Sequence, residues 1–183
     1  MALSVLVGPL AWAVGDGTAV AATTTETSLL TGVAATGKWA MPGGFFIAPG
    51  QILRIYAKGR ISTPAATQGN MIFKVKIGSV AVATAASLTS LASQTNISWQ
   101  ANVDLVLTAV GDGTTAKFMF NGNTLTALVS ATNLNNQWQT SAPAVGTGFD
   151  SSAAATLDFT ATWSNATAGN TIQLHQYLLE SVI

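Results

Sequence analysis

Residues 51–61 read Gln51-Ile52-Leu53-Arg54-Ile55-Tyr56-Ala57-Lys58-Gly59-Arg60-Ile61 and follow directly on the Pro49-Gly50 turn. Their side chains alternate. Leu53, Ile55, Ala57 and Ile61 share one face, with Gly59 between them, while Arg54, Tyr56, Lys58 and Arg60 share the other. Period-two alternation of this length specifies a half-buried strand with one face in water. That wet face carries three cations and an aromatic ring, in a chain where only 8% of residues are charged.

The same pattern recurs downstream. Met71, Phe73, Val75 and Ile77 alternate with Lys74 and Lys76, and Gly78-Ser79 turns the chain into residues 80–86 as a hairpin. In residues 97–109, Trp99, Val103, Leu105 and Leu107 oppose Asn102 and Asp104. Gly111-Asp112-Gly113 turns into residues 114–128, where Phe118 and Phe120 face away from Lys117 and Met119; Asn121-Gly122-Asn123 reads there as a bulge or a second turn. Ala155, Leu157, Phe159, Ala161 and Trp163 share a face, and residues 171–183 close the chain as a long strand.

Upstream, residues 2–7 read as a short strand closed by Gly8-Pro9, and residues 18–31 as an extended segment. Residues 32–44, 62–70 and 129–151 read as loops. About eight strands separated by Gly, Asn and Pro turns predict an all-β chain. The expected architecture is an antiparallel β-sandwich, jelly-roll-like, with an extended N-terminal arm or edge strand over residues 1–20 and one domain over 21–183.

Seven basic and seven acidic residues give zero formal net charge. The 8% charged fraction compares with about 25% in an ordinary soluble domain. Such a surface suits a chain covered by copies of itself or by a partner better than a free monomer. No apolar run reaches the roughly 18 residues of a membrane span. The opening apolar run lacks a basic flank and is cut by Gly8-Pro9, so it reads as mature sequence. Absence of cysteine excludes disulfides and thiolate metal sites, and the single histidine, His175, excludes multi-histidine ones.

Six of the seven cations, Lys38, Arg54, Lys58, Arg60, Lys74 and Lys76, lie between residues 38 and 76 with no acid among them. With Tyr56 they form a candidate docking face. Asp104, Asp112, Asp150, Asp158 and Glu180 follow later. The cations either pair with those acids across neighbouring strands or dock a complementary surface. Zero net charge argues against direct nucleic-acid binding.

Trp12, Trp39 and Trp138 fall in loop-like segments and are candidate interface anchors, core plugs or glycan-stacking rings. No G-x-S-x-G or H-E-x-x-H motif is present, so His175 reads as structural. Asp104 and Asp158 are the acids that could meet across strands as a hydrolytic pair, and nothing in the sequence brings them together. The reading is non-enzymatic, with no catalytic residue, cofactor or metal.

Three segments carry a resemblance. Thr23-Thr24-Thr25-Glu26-Thr27-Ser28-Leu29-Leu30, the run from Gly44-Phe45-Phe46 through Gln51 into residues 52–63, and Phe73-Lys74-Val75-Lys76-Ile77-Gly78 are similar to small structural proteins of tailed bacteriophages. The likeness spans residues 23–80. Residues 171–178 also resemble the closing strand of trimeric jelly-roll heads. The resemblance implies a virion protein, most directly a decoration (cement) protein on the capsid exterior that assembles as a homotrimer and bridges major capsid protein subunits. A tail or fibre component that contacts host glycans through loop tryptophans is the runner-up within the virion, and a secreted carbohydrate-binding module is the alternative from another class. It carries over no catalytic residue.

Overall fold

The computed structural model describes residues 7–33, 37–126, 135–138 and 144–182. In chain order the strands are β1 Val7–Trp12, β2 Val20–Ala21, β3 Thr27–Ser28, β4 Trp39–Met41, β5 Ile52–Thr63, β6 Asn70–Ile77 and β7 Val80–Thr84. There follow β8 Leu88–Thr89, β9 Gln94–Ala109, β10 Lys117–Thr126, β11 Asn135–Gln137, β12 Ala144–Val145, β13 Ala155–Trp163 and β14 Thr171–Val182. No helix occurs among the described residues.

The strands form two antiparallel sheets. The first runs β1-β14-β5-β9-β10-β11, with β2 also on β14 and β12 also on β10. The second runs β3-β13-β6-β7, with β4 on β13 and β8 on β6. The pairings are nested: β1 with β14, β3 and β4 with β13, β5 with β9, and β6 with β7 and β8. A single long antiparallel ribbon rolled up so that successive pairs alternate between sheets gives this order, which is that of a jelly roll. The sandwich expected from the alternation is therefore present, and β10 to β12 widen its first sheet.

β5 starts where it does because Gln51 closes the turn before it. The Gln51 Oε1 accepts the Ile47 and Ala48 backbone N–H groups at 2.7 and 3.1 Å, and Gly50 supplies a φ of +97°. From there Leu53, Ile55, Ala57 and Ile61 point into the sandwich and are buried. Met71, Phe73, Val75 and Ile77 of β6 meet them from the other sheet, with Leu157, Phe159, Ala161 and Trp163 of β13. Phe73 and Phe159 stack at 5.5 Å with their planes 4° apart.

Residues 7–21 take the edge-strand form of the two expected for the N-terminal segment: β1 and β2 pair with β14, and between them the Ala13 and Gly17 N–H groups donate to the Tyr177 and Leu174 carbonyls. Two expectations change. Pro9 lies inside β1 instead of ending a strand, which an edge position with a register shift after it allows. The expected strand at residues 2–7 falls largely on residues outside the described ones. Asn121-Gly122-Asn123 is neither bulge nor turn. It continues β10 in register opposite Asp104, Val103 and Asn102.

Candidate binding face

β5 and β6 are neighbours in sequence but belong to opposite sheets, so the cationic cluster is divided. Arg54, Tyr56, Lys58 and Arg60 lie on the outer face of the first sheet, and Lys74 and Lys76 on the outer face of the second. The single docking face expected from the sequence is not formed.

On the second sheet the charges are spent internally. Glu26 holds Lys74 and Lys76 at 2.7 Å each. Burial raises the Glu26 pKa, but the hydrogen bonds and charges of the two lysines outweigh it and hold the carboxyl below its usual value. Lys38 pairs with Asp158 at 2.8 Å, and the Ser28 hydroxyl donates to the same carboxylate at 2.6 Å. Asp158 thus sits outside one sheet and Asp104 outside the other, so they form no carboxylate pair.

The outer face of the first sheet is organised in rows by its register. One row runs Trp12, Leu178, Tyr56, Asn102, Asn123, Gln137 across six strands. Trp12 is 41% exposed and Tyr56 39%. Two interstrand spacings, about 10 Å, separate their strands. Beside this row run Glu180, Arg54, Asp104 and Asn121, where the Arg54 Nε meets Asp104 Oδ1 at 3.1 Å. Beyond lies an apolar row of Val182, Ile52, Val106, Met119 and Val145. On the other side come Gln176, Lys58, Gln100 and Leu125, then Gln173, Arg60 and Ser98.

Asn102, Asp104, Asn121, Asn123 and Gln137 line an open hollow of about 330 Å³ whose floor is Gly122. Each amide side chain offers both donors and an acceptor. A larger hollow, about 540 Å³, opens at the Arg60 end and is lined by Asp16, Lys58, Gly59, Arg60, Ser98, His175 and Gln176. It forms where β14 bulges between Leu174 and Gln176. The bulge is possible because residue 59 is glycine: a Cβ there would overlap the Gln173 carbonyl oxygen. His175, the extra residue, turns its Nδ1 to Asp16 Oδ1 at 2.6 Å.

The three tryptophans separate. Trp12 is on the exposed row. Trp39 is half-buried and packs edge-to-face on Phe45 at 4.7 Å. Trp138 is only 2% exposed, so it is a core residue and not a surface anchor. Its ring lies parallel to Phe73 and Phe159, and its Nε1 donates to Thr124 Oγ1 at 2.9 Å. The amide row is the feature that sequence reasoning missed. Its signal is the period-two spacing of Gln100, Asn102 and Asp104 and of Asn121 and Asn123, obscured by reading Asn-Gly-Asn as a bulge or turn.

No family model matches the chain, and no curated protein matches it. Among solved structures it is similar to the CBM2 module of the evolved Dit of Lactobacillus casei BL23 phage J-1, at 10% identity over 98% of each chain with a TM-score of 0.41. The jelly-roll assignment rests on the strand pairing and not on this likeness.

Proposed function

We propose that the chain is a non-enzymatic component of a phage particle, of the tail or fibre kind, that binds host glycans on the outer face of its first sheet. The observation that carries this reading is the row of Trp12, Leu178, Tyr56, Asn102, Asn123 and Gln137. Aromatic rings with an apolar body and a polar edge suit the C–H faces of sugars. Amides that donate and accept suit sugar hydroxyls, which do both. An open row running across the sheet suits a chain of sugars rather than a small buried ligand.

The virion setting is supported by the sequence resemblance over residues 23–80, by the jelly-roll order and by the charge-poor surface. The same surface, with the resemblance of residues 171–178, supports assembly as a homotrimer. Capsid decoration draws less support than the tail or fibre reading. It called on a common cationic docking face, whereas Lys38, Arg54, Lys74 and Lys76 are each ion-paired within the chain.

An array of bacterial envelope polysaccharides, run beside a pull-down on empty capsids, tests the choice. Selective retention on glycans with no capsid binding supports the proposal. Saturable capsid binding without glycan retention returns the function to decoration.

A further inference from the structure

We infer that the glycan taken by this face is acidic, and that Lys58 and Arg60 receive its anionic group, a carboxylate or a phosphate. The inference rests on the glycan-binding reading above and names the substrate class of the same face.

Lys58 and Arg60 differ from the other cations of the cluster. Lys38, Arg54, Lys74 and Lys76 each have an acid within 3.1 Å. Neither Lys58 nor Arg60 makes an ion pair to any described residue. Both are exposed, and both line the hollow of about 540 Å³. The acid in that hollow, Asp16, is held by His175 at 2.6 Å on the far side of β14. Two cations therefore meet one committed carboxylate, and the hollow is left with unmatched positive charge.

Position ties this charge to the aromatic row. Lys58 and Arg60 follow Tyr56 on the same face of β5, at about 7 and 14 Å along the strand. Lys58 also borders a second hollow of about 500 Å³, shared with Ser98, Gln100 and Leu125. A sugar stacked on Tyr56 thus places its neighbour or its substituent within reach of both cationic side chains. Gln100, Gln176 and Ser98 stand alongside to accept or donate to the remaining hydroxyls. Arg60 can engage a carboxylate or phosphate through two parallel hydrogen bonds, and Lys58 as a point charge.

The test uses three polymers: polygalacturonate, its carboxyl-reduced neutral counterpart, and a glycerol-phosphate teichoic acid. Binding is measured for the wild-type chain, the double variant Lys58→Gln/Arg60→Gln, and Tyr56→Ala, with circular dichroism confirming the fold of each. Wild type is expected to prefer one of the acidic polymers over the neutral one by roughly five- to tenfold at low salt, as two exposed ion pairs provide. The preference shrinks as salt rises. Whichever acidic polymer wins identifies carboxylate or phosphate as the group read. The double variant is expected to keep the neutral binding and lose the preference. Equal wild-type binding to neutral and acidic polymers, or a preference that survives in the double variant, overturns the inference while leaving glycan binding intact. No binding to any of the three by folded wild type overturns the inference, and the envelope-polysaccharide array then decides the glycan-binding reading separately.

Discussion

The ring of Trp138 occupies the space that Gly122 leaves open: a Cβ on Gly122 would stand 3.0 Å from the Trp138 Cγ and Cδ2. The backbone follows the ring, since the Trp138 N–H donates to the Gly122 carbonyl at 2.8 Å. One glycine in the middle of a strand thus admits an aromatic ring from a later segment and joins it to the Phe73–Phe159 stack. Gly122→Ala is expected to push the ring out and destabilise the chain by about 1–3 kcal/mol. Trp138→Ala removes the ring and is expected to cost about 3–5 kcal/mol. Urea unfolding followed by far-ultraviolet circular dichroism measures both.

Glu26 carries the acid sensitivity of the second sheet. Its carboxyl is held below its ordinary value of 4.5 in the folded chain. A depressed carboxylate stabilises the fold fully above its unfolded pKa, and that stability is lost as pH falls through the folded value. Stability is therefore expected to decline below pH 4.5. Glu26→Gln is expected to cost about 1 kcal/mol at neutral pH and to flatten the acid limb, because both partners are partly exposed. Thermal midpoints from pH 3 to 7, taken as roughly the range over which carboxylates titrate, report the difference.

Tyr177 acts at the alkaline end. It is buried, and its hydroxyl makes no hydrogen bond to a described residue. Burial first, and then the charge of Asp158, push its pKa far above the ordinary 10.0. The unfolded chain ionises above that value while the folded chain resists, so the contribution is complete below pH 10 and is lost as pH rises beyond it. Tyr177→Phe is expected to raise neutral stability by up to about 1 kcal/mol, since it deletes an unpaired buried hydroxyl. It should also remove this part of the alkaline loss. Unfolding curves at neutral pH and above pH 10 check both.

Gly59 supports the bulge that shapes the cationic hollow. Gly59→Ala would set a methyl group against the Gln173 carbonyl and 3.0 Å from the Trp99 ring. The expected result is a loss of about 1–3 kcal/mol with the His175–Asp16 contact displaced. The imidazole resonances of the single histidine, followed by NMR, show whether that contact survives.

Much of this architecture is legible in the sequence because burial in a sandwich writes itself as alternation. β5, β6 and β13 each present a strict inward set, and each lies within a residue or two of its expected bounds. What alternation does not encode is which sheet a strand joins. Lys58 and Lys74 look like one patch in sequence and lie on opposite outer faces because the rolled ribbon sends β5 and β6 to different sheets. Nor does it encode partners that arrive late. Gly122 reads as part of a bulge or turn until Trp138 packs against it, and Pro9 reads as a stop until β14 supplies the strand on which β1 forms an edge. The amide row depends on register across six strands, which no single stretch contains.

The measurement that tests the central claim most directly is calorimetric titration of a bacterial envelope polysaccharide into wild type, Tyr56→Ala and Trp12→Ala. Both rings are partly exposed, at the middle and edge of the first sheet, so the variants are expected to fold, and circular dichroism checks that they do. Loss of one stacking ring is expected to weaken binding by about tenfold, the equivalent of roughly 1.4 kcal/mol. Wild-type affinity in both folded variants, or a wild-type chain that binds no polysaccharide, would contradict the account.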